Sequence, residues 1–433
     1  MTVSPVVLEG SVAEHHDAFL DELDRLKHRL RTLPATLAGD RDTLARHVEH
    51  AHEYSTARRA QPLRAKIDHA TAGLRPDTQV EWDAALVQSA HAAVQRGDVL
   101  APDGEHPLHD GLWTRIRNWV LEHSMPAFHM YEDFDRRWLK ALAERIATPT
   151  VPFPATEPAS IEIAEKVRIA IVGDWGTGLP ESDLIAAHVV TARPDYIVHL
   201  GDVYYAGTPD EERRFLEHWP GEPGRSLTLN SNHEMYGGGQ GYFGVLLPSD
   251  TFRLQNRCSY FAMHNEHFLI LGLDTAYHAE SLLYEDGKLD EEKQLPFIRD
   301  QVERARVSNV RIIVLTHHNG LDLENKKTKL WNQLRPTIPG PFTWIWGHLH
   351  AGVVHRDVDG VSGRCVGHGG VPYSPFTAEE EGRHQWAERQ LANDAREPNR
   401  ALNGYYILEL EGGELCEAFC DERGRPRWAT PDE

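Results

Sequence analysis

VRIAIVGD, residues 167–174, sets apolar residues at five of its first six positions and closes on a glycine and an acid. A strand with one face in water alternates polar with apolar residues. This run does not alternate, so it reads as a strand buried on both faces of a layered sheet. Four further stretches share the pattern: DYIVHLGD (195–202), SLTLNSNH (226–233), VRIIVLTHH (310–318) and FTWIWGHLH (342–350). Amphipathic segments at 181–192, 209–218 and 291–306 separate several of them, and strands alternating with helices make an α/β layered domain. SYFAMHNEHFLILGLD (259–274) and GYYILELEGGELCEAF (404–419) read as β-hairpins turning at Asn-Glu and Gly-Gly, which add a flanking sheet.

Each of the five runs ends in Asp, Asn or His, and in open α/β sheets ligands sit outside the carboxyl ends of the strands. In chain order these ends supply Asp174, Asp202 with Tyr205, Asn232 with His233, His317, and His348 with His350. An all-oxygen magnesium or calcium site recruits few imidazoles, and a structural zinc site takes four ligands, usually with cysteine. Carboxylates, a phenol, an amide and several imidazoles together suit a pair of transition metals about 3.5 to 4 Å apart, which clamps both oxygens of an in-line phosphoryl displacement.

The ordered motifs GDxG (173–176), GDxxY (201–205), NHE (232–234), VxxH (314–317) and GHxH (347–350) resemble those of the calcineurin-like metallophosphoesterase superfamily, and within it the purple acid phosphatase branch. The resemblance implies a two-sheet α/β/β/α sandwich over residues 161–425. It implies that Asp174, Asp202, Tyr205 and His350 hold one metal ion, and that Asp202, Asn232, His317 and His348 hold the other, with Asp202 as the bridge. The implied ions are iron paired with zinc, manganese or a second iron, because a phenolate favours a hard trivalent ion and neutral imidazoles suit the others. Most members of the superfamily carry Asp-x-His in the first motif; here it is Asp174-Trp175-Gly176, and Tyr205 is the natural replacement for the missing imidazole.

By the same resemblance a metal-activated hydroxide attacks a phosphate ester. Asp202 and His233 are then the catalytic residues, His233 steadying the phosphate or protonating the leaving alkoxide. His233, His318 and His368 are the candidate substrate contacts. Glu234, which follows His233, and His318, which follows His317, read either as supports that fix a ligand's tautomer or as solvated groups. His199, inside a strand run, reads as a hydrogen-bonded core residue. Ser231 stands where the family has a glycine that eases a tight turn by tolerating positive φ; the serine is expected to be accommodated, since every donor group remains.

Residues 1–148 read as an all-helical domain. Phe19, Leu23, Leu26, Leu30 and Leu33 lay one apolar stripe along a helix, and further helices are expected at 41–60, 79–96 and 111–147, that at 79–96 opened by a capping box at Thr78 and Glu81. Four prolines in PTVPFPATEP (149–158) mark a Pro-rich linker over 149–160. The formal charge of −21, with no cluster of Lys and Arg, argues against long nucleic acid and anionic membrane surfaces as partners. No stretch approaches the roughly 18 apolar residues of a membrane span, no signal-peptide pattern opens the chain, and four scattered cysteines suit a reducing compartment, so a cytoplasmic location is expected. Cys416 and Cys420 read as core thiols. The resulting expectation is a binuclear metallophosphoesterase acting on a small soluble phosphomonoester or nucleotide. A phosphodiesterase, for cyclic nucleotides among others, and a non-enzymatic protein with a degenerate metal site are the alternatives. A protein partner or self-association is assigned to the N-terminal helices.

Overall fold

The computed structural model describes residues 148–430 except 154, 282–283, 377–381 and 394–399. The helical domain expected over 1–148, with its helices and its self-association, lies outside the described residues but for residue 148. In chain order the first half comprises β1 (Ala159–Glu162), β2 (Val167–Val172), α1 (Pro180–Thr191), β3 (Tyr196–His199), α2 (Pro209–His218), β4 (Ser226–Thr228), α3 (Asn232–Tyr236), β5 (Phe261–His264) and β6 (Phe268–Leu273). The second comprises α4 (Gln294–Val307), β7 (Arg311–Thr316), α5 (Lys329–Leu334), β8 (Phe342–Trp346), β9 (Gly352–Val354), β10 (Val361–Val366), β11 (Trp386–Ala387), β12 (Gly404–Glu411), β13 (Glu414–Asp421) and β14 (Pro426–Ala429).

Among the described residues the strands form two mixed sheets, ordered β1-β5-β6-β7-β8-β10-β9-β11 and β14-β13-β12-β2-β3-β4. Side-chain alternation along β2 shows how they stack. Val167, Ile169 and Ile171 face a core shared with Ile313 and Leu315 of β7 and Ile345 of β8, so the two sheets close on each other. Ala170 and Val172 point the opposite way, against Ile185 and Val189 of α1 and Phe215 of α2. On the far side Val314, Trp344 and Trp346 meet Ile298 and Val302 of α4 and Trp331 of α5. Both faces of each central strand are therefore apolar, which is why the runs lack alternation. The layers are helix, sheet, sheet, helix.

All five apolar runs are strands. The two expected hairpins form, but each extends one of the two sheets rather than making a further one: β5 and β6 pair antiparallel in the larger sheet, β12 and β13 in the smaller. β1 begins at Ala159, inside the segment read as linker, and β14 carries the smaller sheet past residue 425. The proline-rich segment is itself docked. Val151 donates to the Gly238 carbonyl at 2.9 Å, and the Phe153 ring packs 4.7 Å from Tyr277. Cys420 is buried as expected, whereas Cys416 is exposed.

Candidate metal centre

The loops that leave β2, β3, β4, β7 and β8 meet at one end of the sandwich. Asp174, Asp202, His348 and His350 all have positive φ, at 56°, 76°, 68° and 33°. L-residues adopt that region at a cost, and such backbone clusters at functional sites. Close approach needs glycine at two positions. Gly201 has φ +101°, and a Cβ on Gly347 would lie 2.6 Å from Asp174 Oδ2. That same Asp174 oxygen accepts from the His348 N–H at 2.9 Å, which ties the end of β8 to the end of β2.

His317 fixes the character of one half of the site. Its Nδ1 lies 3.0 Å from the Leu200 carbonyl, which can only accept, so Nδ1 carries the proton. Nε2 then has a lone pair, and it faces Asn232 Oδ1 at 2.8 Å and Asp202 Oδ1 at 3.3 Å. Asn232 is oriented by its own amide, which donates to the Tyr236 hydroxyl at 3.0 Å. Protonating Nε2 is opposed, since burial pulls the His317 pKa down to about 3. Three electron-rich atoms thus converge with no hydrogen between them, an arrangement that a cation satisfies. His348 stands beside them, its ring 5.1 Å from that of His317.

The other half gathers Asp174, Asp202 and His350, whose donor atoms lie within 4.8 Å of one another. Both carboxylates are fully buried. Burial and the nearby Asp202 push the Asp174 carboxyl well above its ordinary range; Asp202 stays low against its own burial because His233 and His317 favour its charge. Two such carboxylates need a shared proton or a cation. The phenol at this point is that of Tyr204, whose oxygen is 2.9 Å from Asp202 Oδ2, 3.4 Å from Asp174 Oδ1 and 2.8 Å from His350 Nε2. The phenol expected here, that of Tyr205, belongs to the next residue in the chain. Tyr205 offers its backbone: its N–H donates to Glu211 at 2.8 Å, and its carbonyl accepts from His233 Nδ1 at 2.7 Å. In α2 the capping box of Thr208 and Glu211 orients this turn, a signal legible as TPDE in the sequence.

The remaining candidates sort by burial and bonding. His233 lies within the site, with Nε2 3.7 Å from Asp202 Oδ2. Ser231 has φ −134°, so no glycine is required there, and its hydroxyl donates to Asp202 Oδ1 at 2.5 Å and contacts Glu234. Glu234 is buried rather than solvated, and burial, then Asp202, lift its pKa to about 8. His318, expected as a substrate contact, is buried, with Nδ1 on Thr275 Oγ1 at 2.8 Å and Nε2 on the Tyr284 carbonyl at 2.6 Å. Although its ring nitrogens lie close to those of His317 and His348, both are already engaged. The ring of His368, also expected as a substrate contact, is buried 5.6 Å from Phe419, and burial lowers its pKa to about 3. His199 is buried as expected, 3.4 Å from Thr228 Oγ1. A sixth strand end that the motif pattern missed, Asp274 after β6, holds the Asn230 amide through both oxygens at 3.2 Å and so steadies the loop that carries Asn232.

Residues 167–352 match the family model of the calcineurin-like phosphoesterases. Over that span, which contains every strand end described above, the chain is similar to the calcineurin-like phosphoesterases. No curated protein matches the sequence. Among solved structures the chain is similar to GAP50, the anchor in the inner membrane complex of Plasmodium, at 14% identity and a TM-score of 0.45, over 62% of this chain and 88% of that one. It is similar to a dimetal phosphatase from Danio rerio at 12% identity and a TM-score of 0.38, over 63% and 99%. It is also similar to a conserved uncharacterized protein, a predicted phosphoesterase, from Streptococcus pneumoniae TIGR4, at 10% identity and a TM-score of 0.27, over 62% and 98%. Among the described residues no helix is long and apolar enough to cross a membrane.

Proposed function

We propose that the chain is a binuclear metal-dependent phosphoesterase that hydrolyses a small soluble phosphomonoester or nucleotide. The observation that carries this reading is the convergence of His317 Nε2, Asn232 Oδ1 and Asp202 Oδ1, none of which carries a proton to give to the other two. Asp174, Asp202, Tyr204 and His350 would hold one ion, and Asp202, Asn232, His317 and His348 the other. Two ions bound there would polarise the ester and lower the pKa of a water near phosphorus towards neutrality. Asp202 spans the two positions, with one oxygen facing His317 and the other facing Tyr204. His233, anchored through Nδ1 on the Tyr205 carbonyl, directs Nε2 towards Asp202 and is suited to steady the phosphate or to give a proton to the leaving alkoxide. A phenol among the donors favours a purple acid phosphatase-like centre with ferric iron at the Tyr204 position. The acidic chain favours small substrates over long nucleic acid.

The test is hydrolysis of p-nitrophenyl phosphate and bis(p-nitrophenyl) phosphate by metal-loaded protein. Activity is expected on the monoester, falling by about 100-fold or more in Asp202→Asn and His348→Ala. Faster turnover of the diester would transfer the assignment to a phosphodiesterase. No turnover of either ester from pH 5 to 9 would remove the enzymatic reading.

A further inference from the structure

The loop between β6 and α4 brings a carboxylate to the mouth of the candidate metal centre. Its backbone is held from below by His318, whose Nε2 donates to the Tyr284 carbonyl at 2.6 Å while Nδ1 meets Thr275 Oγ1 at 2.8 Å. Gly287 passes so close to the same ring that a Cβ there would lie 2.7 Å from His318 Cβ. The Glu285 N–H donates to Ser281 Oγ at 2.8 Å. Two bonds and a close approach therefore fix the chain on either side of Glu285. Its carboxylate lies with Oε2 3.5 Å from His348 Nε2, at the long end of hydrogen bonding, with the Glu285 side chain 53% exposed and that of His348 only 10%.

We propose that Glu285 is a positioning residue for His348. A neutral imidazole has one proton, and the nitrogen that faces a carboxylate keeps it. Nε2–H turned to Glu285 leaves the lone pair on Nδ1, so the acid selects the tautomer and ring orientation with which His348 can bind a metal. The inference rests on the metal-centre reading of the proposed function. It also gives His318 a role that substrate contact did not: His318 braces the loop that delivers Glu285.

Calorimetric titration of the full-length apoprotein with Zn²⁺ or Mn²⁺ tests this without turnover. Glu285→Ala is expected to weaken one of the two binding events by roughly 10- to 100-fold and leave the other unchanged. Glu285→Gln, which keeps an acceptor, is expected to recover most of the loss, and adding Glu285→Ala to His348→Ala is expected to cost nothing further. Wild-type affinity at both positions in Glu285→Ala, or an equal loss in the His348→Ala background, overturns the assignment while leaving the metal centre standing. A wild-type protein that takes up no metal removes both.

Discussion

At the scale of single residues, the tyrosine separates what the motif conveys from what the backbone decides. GDVYYAG offers two adjacent phenols, and the motif spacing favours Tyr205, yet the turn that follows β3 sends the Tyr204 oxygen to Asp174, Asp202 and His350. Neighbouring side chains in an extended turn point in different directions, so an offset of one residue decides which of them reaches a site. Glu211 settles the offset here by fixing the N–H groups of Tyr205, Ala206 and Thr208. If iron occupies the position beside Tyr204, the protein has a phenolate-to-metal charge-transfer band. Tyr204→Phe is expected to bleach it and Tyr205→Phe to leave it in place, as read from the visible spectrum of iron-loaded protein. Colour that survives Tyr204→Phe and disappears in Tyr205→Phe would restore the motif's register. That the other candidate positions would converge was legible because each ends an apolar strand run, a pattern that side-chain chemistry and the sheet's geometry impose together. The burial of His318 and His368 was not legible, because burial and hydrogen-bond partners depend on contacts distant in the chain.

At the scale of elements, α2 shows why an amphipathic pattern can mislead. Its sequence, PDEERRFLEH, places acids and bases around one aromatic, a pattern expected to set the charged residues towards water. The structure instead buries Glu212 with Phe215, and neither carboxylate oxygen has a hydrogen-bond partner among the described residues. Burial, then the charges of Glu234 and Glu211, push its pKa well above the ordinary 4.5. The folded chain therefore keeps a proton that the unfolded chain releases once the pH exceeds that ordinary value. Stability tied to Glu212 is intact at lower pH and is lost as pH rises, at up to ~1.4 kcal/mol per pH unit until the folded group ionises. Glu212→Gln removes this dependence. Urea unfolding from pH 5 to pH 8 should show the variant gaining on the wild type as pH rises. A difference that stays constant across that range would mean that Glu212 is not held neutral.

For the whole molecule, the sequence conveys the layers better than the way they are joined. Uninterrupted apolar runs told of strands covered on both faces, and the sandwich follows from that. The closure of one sheet on the other also depends on a polar contact that no run reveals: Arg364 of β10 grips Glu417 of β13 through two bonds of 2.9 and 3.0 Å, both residues being buried, and the Tyr406 hydroxyl donates to the same carboxylate. Arg364→Met would strand that acid between the sheets, with an expected loss of about 3–5 kcal/mol in urea unfolding. A loss below about 1 kcal/mol would place the pair in the class of solvated surface bridges. The account as a whole depends on distant strand ends converging on a pair of cations. Elemental analysis of the purified full-length chain after metal loading and removal of loose ions is the direct measurement. About two transition-metal ions per chain are expected, with a clear deficit in Asp202→Asn. A wild-type chain that retains none, or an Asp202→Asn chain that retains as many as the wild type, would contradict the account.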